Sequence, residues 1–401
     1  MNAYIIDGVF TPRASVKKGA SAYSLVHPQE LLATCFRSLR DRQKEIFEQT
    51  SAAYIGCVSQ VNDQGANLAR NAVLAAGLPQ SVSALTIDMC CGSGLQTVNL
   101  AAASVGSGAD GLVIAGGVES MSRVKMASDG AGMDGNNLSL RHELFQVPQG
   151  ISADFIATNE GISRSELDQF ALNSQRKATK ARDEKYFQSS YALVESHGGP
   201  LLTEEDHIRP DATLSALSEL PPAFAKLGEE LTLQGIIGEN KPISHVTHLH
   251  TAGTSSGIAD GAAALLIAGD SFVEKFNVKP RAKILATCAR GSDPIAMLLG
   301  PSGCCTELLS KCGMSVQDVD LWEINEAFAV VPIETIRRLK IDPARVNIKG
   351  GAIARGHPLG ATGAILLTSL IAELEKEDLS VGCVVLCVAG GQSVGILVQR
   401  C

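Results

Sequence analysis

Short apolar runs alternate along this chain with longer stretches of small and apolar residues recurring at helical spacing. Ala3-Tyr4-Ile5-Ile6-Asp7 reads as an opening strand, and Ala84 to Ile87 as another, followed by the glycine-rich turn Gly92-Ser93-Gly94 and a helix pattern from Gly94 to Val105. Gly111-Leu112-Val113-Ile114-Ala115-Gly116-Gly117 then forms a further strand. The same order returns near the far end, with a helix pattern from Gly360 to Leu374 and the strand Val385-Leu386-Cys387-Val388-Ala389-Gly390-Gly391. The glycine pairs of the two strands coincide when the segments are superimposed, which is the mark of an internal duplication. Alternating strands and helices predict an α/β architecture: two mostly parallel sheet halves covered by helices, with related loops converging between them.

The stretch between the repeats has another character. It carries Asp129-Gly130-Ala131-Gly132, a polar helix pattern from Arg164 to Lys185, and an irregular tract through Pro200, Pro210, Pro221-Pro222 and Gly235. Structureless loops longer than about 12–15 residues are uncommon in a compact body, so a helical excursion of this length predicts a cover over a site. The expected division is residues 1–118 with 251–272 as a first half, 119–250 as an insertion, and 273–401 as a second half.

Composition narrows the partners. The 401 residues include 45% hydrophobic and 19% charged positions and 39 glycines, which describes a filled interior rather than disorder. A net charge of −8 excludes a nucleic-acid face, which needs clustered Lys and Arg, so any anionic ligand must be met by local charge. The 11 cysteines are scattered with no C-x-x-C pair, which argues against zinc and against a disulfide framework. His245, His248 and His250 alternate, but no metal set is expected from them. The chain opens on a strand pattern without a charged-then-apolar leader, no run approaches a membrane span, and a reducing cytoplasm is the expected compartment.

One imidazole stands out. His357 lies in Gly350-Gly351-Ala352-Ile353-Ala354-Arg355-Gly356-His357-Pro358-Leu359-Gly360, between a strand pattern and a helix pattern, where glycines let main chain approach a ligand. Cys91 sits at the start of the helix that Gly92-Ser93-Gly94 opens, and a helix N-terminus favours thiolate, predicting a thiol pulled from about 8.5 toward neutrality. Cys90 is assigned to packing, because neighbouring side chains on a strand point to opposite faces. Cys387 ends the second repeat's strand just before Gly390-Gly391, where a thiol could move a proton at carbon; Cys383 is assigned to packing. Asn325, in Asn325-Glu326-Ala327-Phe328, follows a strand pattern and either caps a helix or orients a water or oxyanion.

These four segments together resemble the thiolases. Thr11-Pro12-Arg13, Ala69-Arg70-Asn71-Ala72, Ala115 to Ser122, Asp260-Gly261-Ala262-Ala263 and Asp293-Pro294 to Gly300-Pro301 extend the resemblance in the family's order over nearly the whole chain. It implies a duplicated thiolase-like fold with an inserted loop domain, and acyl transfer between acetyl-CoA or another acyl-CoA and free CoA. Cys91 would take the acyl group, His357 would activate it, Cys387 would be the acid and base at the α-carbon, and Asn325 and the N–H of Ala389 would serve two oxyanion sites. Coenzyme A contacts carried over are Arg209 toward the nucleotide, then Leu220, Phe224, Ala252, Ser256, Met297 and Phe328. The resemblance further implies CoA esters as substrates with no permanent cofactor, and a homodimer or homotetramer. A non-catalytic acyl-CoA or lipid carrier, or another condensing enzyme of the same fold, are the alternatives. The chain departs from the family's pattern at Ala389 (commonly Gly), Thr254 and Asp88 (commonly Asn), Ala216 (often Ser) and Gln149 in Pro148-Gln149-Gly150.

Overall fold

The computed structural model describes residues 2–401. Nine strands form one continuous sheet path: β1 (Ala3–Phe10), β2 (Ala52–Gly56), β3 (Ser83–Ile87), β4 (Leu112–Ser120), β5 (Ala259–Gly269), β6 (Ala282–Gly291), β7 (Leu321–Ile324), β8 (Val381–Val388) and β9 (Gln392–Arg400). Their spatial order is β7-β8-β9-β6-β1-β5-β4-β2-β3. In the first half β3, β2, β4 and β1 run one way and β5 runs against them; in the second, β7, β8 and β6 run one way and β9 runs against them. The duplication read from the paired glycine strands is therefore the pairing of β4 with its counterpart β8. The halves join edge to edge where Ala3, Tyr4 and Ile5 of β1 meet Ile284, Lys283 and Ala282 of β6, antiparallel.

Helices divide the strands into layers. Those that frame the site are α1 (Pro28–Arg42), α2 (Leu68–Ala75), α3 (Ser93–Ser107), α4 (Gln149–Asn159), α5 (Arg164–Asp183), α6 (Ala225–Leu233), α7 (Gly300–Cys312), α8 (Val330–Leu339), α9 (Ala352–Arg355) and α10 (Leu359–Lys376). One core cluster unites Leu95 and Val98 of α3 with Leu367 and Leu370 of α10, and packs both against Val113 and Ala115 of β4 and Val384 and Leu386 of β8. The two repeat helices are thus the middle layer between the sheet halves. On the outer side of the first half, Leu31 and Phe36 of α1 and Leu68 and Val73 of α2 cover Ile55 and Ile114. On the outer side of the second, Cys304 and Leu308 of α7 and Val331 and Ile333 of α8 cover Val385 and Leu397. Burying each large aliphatic side chain in such layers contributes about 1.5–3 kcal/mol.

The middle helices touch backbone to backbone. A Cβ on Gly94 or Gly117 would run into the Gly360 carbonyl, and one on Gly363 into Leu95. These glycines are there for close approach rather than for turns. Glu119 at the end of β4 fastens the seam, its Oε2 accepting from the Gly360 N–H at 3.0 Å and the Val58 N–H at 2.9 Å.

The segment between β4 and β5 does not stay with the half that emits it. Leu167, Ala171 and Leu172 of α5 and Ala153 and Ile156 of α4 join the second half's outer cluster. Gly350, at φ +76°, admits α5, since a Cβ there would meet the Ser174 carbonyl and the Ala178 backbone. The polar helix expected over Arg164 to Lys185 is α5, and its apolar face explains the docking. α6 belongs to a smaller cluster of its own, Val147, Ile151, Leu231, Ile237 and Ile243.

Candidate active site

Cys91 sits in a tight turn between β3 and α3. Asp88 Oδ1 accepts from the Cys90 N–H at 2.7 Å, the Met89 N–H donates to Ser93 Oγ at 2.8 Å, and Ser93 Oγ donates to the Cys90 carbonyl at 2.6 Å. Cys90 is left-handed at φ +44°, a conformation costing a non-glycine residue roughly 1–2 kcal/mol. A turn, and not the strand alternation expected for Cys90, separates it from Cys91. Asp88 fits its place, because a carboxylate oxygen closes this turn as an amide oxygen would. A Cβ on Gly92 would run into Val388 and Val394, so the turn presses against the end of β8. Cys91 is 4% exposed and packs with Met121 and Leu359, two residues beyond His357.

His357 lies between α9 and α10. Its N–H donates to the Gly257 carbonyl at 2.8 Å, and Nδ1 lies 2.6 Å from Thr362 Oγ1. The Thr362 hydroxyl also reaches the Pro358 carbonyl, at 3.1 Å, an arrangement that accommodates the tautomer with the ring proton on Nδ1 and Nε2 free as the basic nitrogen. Asn325 Nδ2 is 3.4 Å from Nε2, and Asn325 Oδ1 is buried without a protein partner. Asn325 is no helix cap, since α8 begins at Val330, and its N–H donates to the Val385 carbonyl at 3.0 Å. Its neighbour Glu326 is a brace: Oε1 accepts from Asn347 Nδ2 at 2.9 Å, and Oε2 from Ser174 Oγ at 2.7 Å and the Ile353 N–H at 3.1 Å.

Cys387 is fully buried near the end of β8, in the cluster that holds Met297 and Phe328. Beyond it the left-handed positions are Gly390 (φ +80°) and Gly391 (φ +78°), and Ala389 is not among them. An alanine at 389 therefore carries no backbone penalty, which accounts for that departure.

Electrostatics overturn one expectation. Burial first, and then the neighbouring Cys387 and Cys90, push the Cys91 thiol well above its ordinary value, with the Gln149 amide acting in the opposite direction. Burial pushes Cys387 up to about 12. Burial and the positive charge of Arg13 pull His357 down to about 3. The helix N-terminus is where the sequence placed it, but desolvation of a fully enclosed sulfur outweighs it. The resting set is two neutral thiols and a neutral imidazole. Because the thiolate is a minor form, alkylation of Cys91 by iodoacetamide in the ligand-free protein should rise about tenfold per pH unit between about pH 6 and 9. A plateau near pH 7, read by peptide mass mapping, would show the thiolate already formed.

Most of the residues expected to bind coenzyme A line one wall. Phe328 stands edge-on to Phe224 at 5.8 Å and to His250 at 5.7 Å, Met297 is fully buried in the same cluster, and Leu220 packs beside it. The Ser256 N–H donates to the Ala327 carbonyl at 3.0 Å, and the Ala329 N–H to the Thr254 carbonyl at 2.9 Å, fixing the 251–257 loop between Asn325 and His357. Thr254 Oγ1 also accepts from the Thr251 N–H at 2.8 Å, so threonine closes this loop by itself. Ala252 is exposed at the rim, as is Ala216 on a short helical turn, Leu214–Ser218. Arg209 is exposed too, held through its backbone alone, its N–H donating to Gln175 Oε1 at 2.8 Å and its carbonyl accepting from the Ala212 N–H at 3.2 Å. His248 and His250 both pair with Asp154, at 3.0 and 2.8 Å, a carboxylate that no local pattern ties to them. Gln149 beside the thiol and Thr362 behind the imidazole are site residues that sequence reasoning missed. The five-residue spacing from His357 to Thr362 across a helix start was the available signal for the second.

Residues 3–232 match the family described as thiolase, N-terminal domain, and residues 278–400 the thiolase C-terminal domain. The chain is 36% identical to a beta-ketoadipyl-CoA thiolase of Pseudomonas knackmussii, covering 99% of this chain and 98% of that one. It is 35% identical to a 3-ketoacyl-CoA thiolase of Klebsiella pneumoniae, with the same coverage of 99% and 98%. Human mitochondrial 3-ketoacyl-CoA thiolase, solved in complex with CoA, superimposes with a TM-score of 0.86 at 30% identity over 100% of this chain and 98% of that one. The chain belongs to the thiolase family. It is an acyltransferase that moves acyl groups between coenzyme A and acyl-CoA.

Proposed function

We propose that Cys91 is the acyl-accepting nucleophile, His357 its base, and Cys387 the acid and base at the α-carbon. The observation that carries this is the setting of the imidazole, with Nδ1 2.6 Å from Thr362 Oγ1 and Nε2 3.4 Å from Asn325 Nδ2, which suits a ring whose Nε2 is the basic nitrogen. In the condensing direction His357 takes the Cys91 proton as the sulfur attacks the acetyl-CoA carbonyl, and CoA leaves with the Cys387 proton, which makes Cys387 the thiolate for the next step. Cys387 then removes a proton from the methyl of a second acetyl-CoA, and the carbanion attacks the acyl-cysteine carbonyl, breaking the C–S bond. Thiolysis of a 3-oxoacyl-CoA is the reverse. The enolate oxygen sits against His357 and a water held by Asn325, and the acyl-enzyme carbonyl against the N–H groups of Cys91 and Ala389. Each such donor is worth ~10²–10³ in rate.

Coenzyme A esters are the substrates in this reading, with no permanent cofactor. The insertion, residues 119–250, supplies Arg209 for the nucleotide phosphates and Leu220 and Phe224 for pantetheine. Ala252, Ser256, Met297 and Phe328 line the way to the sulfur pair. The half formed by 1–118 and 251–272 brings Cys91, and the half formed by 273–401 brings Asn325, His357 and Cys387. No described helix is long and apolar enough to cross a membrane. The compartment we assign is the cytoplasm, and the assembly a homodimer or homotetramer. β3 supports the latter: it ends the sheet, its outer edge is unpaired among the described residues, and Leu85 on it is 37% exposed. Such an edge invites a second copy of the same strand.

The deciding experiment is CoA-dependent cleavage of acetoacetyl-CoA and of longer 3-oxoacyl-CoAs, followed by loss of the 3-oxoacyl absorbance. Turnover supports the reading. Tight binding of CoA esters with no cleavage of any chain length would favour the carrier instead.

A further inference from the structure

Three buried charged side chains surround the backbone just ahead of His357 and take no part in the acyl-transfer steps above. Arg13, 0% exposed, follows β1; Glu205 comes from the insertion; Arg355 ends α9. Glu205 bridges the two guanidiniums, Oε1 accepting from Arg13 Nε at 2.6 Å and Oε2 from Arg355 Nε at 2.5 Å. Arg13 Nη1 also donates to the Gly356 carbonyl at 3.3 Å, and Arg355 stacks over the Phe187 ring at 4.2 Å. Gly356 is left-handed at φ +93°, and a Cβ on it would meet Ala259. The residue that follows this clamped turn is His357.

Taking such charges out of water costs several kcal/mol per ion, and the cost is offset only when partners and geometry are complete. Burial alone would push the Glu205 carboxyl up, but Arg13 and Arg355 outweigh it and hold it ionised. Glu323, which also faces these guanidiniums, is pushed well up by burial and by Glu373, so Glu205 is the ionised partner. Arg13 in turn bears on His357, disfavouring a charged imidazole. We propose that Glu205 is a positioning residue for His357: it clamps Arg355-Gly356-His357 through the two arginines and neutralises the Arg13 guanidinium seated against the Gly356 carbonyl. This rests on the reading that His357 receives the Cys91 proton.

The test compares wild type, Glu205→Gln, Arg13→Met and the double variant of the full-length chain, with kcat and KM for 3-oxoacyl-CoA and with acyl labelling of the protein. Glu205→Gln should lower kcat at least about tenfold with KM within about twofold, and adding Arg13→Met should recover part of the lost kcat, the remaining deficit being the share carried by the Arg13 donor to Gly356. Rates are compared per folded enzyme, with thermal unfolding read on each variant, because Arg13→Met also removes the unpaired charge that Glu205→Gln leaves buried; recovery of kcat without recovery of the unfolding temperature is the expected result. A folded Glu205→Gln protein with wild-type kcat, or a double variant no faster than the single, overturns the proposal. If Glu205→Gln does not accumulate folded, Arg13→Lys keeps the charge but loses the Gly356 donor, and unchanged kcat there overturns it equally. A wild type that takes no acyl label would sink the assignment of Cys91 and His357 instead, which separates the two failures.

Discussion

Cys91→Ser should abolish turnover, lowering kcat by about 10⁴–10⁶-fold, because a buried serine hydroxyl beside a neutral imidazole is a far weaker nucleophile than the sulfur it replaces. Its fold should be intact, since the sulfur is 4% exposed and packs only with Met121, Leu359 and their neighbours. Intact-protein mass spectrometry after exposure to acetyl-CoA should show a single acetyl adduct on wild type, mapped to the peptide carrying residue 91, and none on the variant. Equal labelling of the two proteins would remove Cys91 from the chemistry. The comparison is sharpened by Cys90, its covalent neighbour. Cys90 is only partly buried and held left-handed by its turn, so labelling there would indicate adventitious reactivity of an accessible thiol.

Cys387→Ala should separate the half-reactions. Acylation of Cys91 by acetyl-CoA needs no proton moved at carbon, so the adduct should still form. Condensation, and exchange of the acetyl-CoA methyl hydrogens with deuterated water, should fall by about 10²–10⁴-fold, the usual worth of a positioned acid and base. A thiol pushed up to about 12 is almost wholly protonated near neutral pH, and even its thiolate is a weaker base than the carbanion it must generate. Its removal of a carbon-bound proton therefore depends on the enolate being stabilised as it forms, by Asn325 and His357. Methyl exchange retained at the wild-type rate would refute the role of Cys387.

Much of this site was legible because the chain announces it with glycines. Gly92-Ser93-Gly94, Gly350-Gly351, Gly356 and Gly390-Gly391 mark the turns that carry Cys91, His357 and Cys387, and the repeated strand pattern said which turns would be related. What local pattern could not carry was the balance of solvation. A helix start beside a cysteine is visible in one dimension, but that the sulfur is also sealed by Met121 and Leu359 from distant segments is not. Long-range pairing escaped for the same reason. Glu205 lies 192 positions from Arg13 and 150 from Arg355, and Asp154 lies 94 and 96 from the two histidines it holds. Where the insertion docks was not legible either, because α5's apolar face has no mark of which sheet it will choose; Gly350, the residue that admits it, reads equally well as a loop glycine.

The bare contact at Gly94, Gly117 and Gly360 has a consequence for how such a chain can diversify. Where main chain rests on main chain, there are no side chains whose exchange could shift one half against the other by a fraction of an ångström. The spacing of the reacting groups is locked into the scaffold, while the wall of Leu220, Phe224, Met297 and Phe328 is made of replaceable side chains. Exchange of side chains along that wall can therefore change how a thioester is held while the geometry of the reacting groups stays as it is.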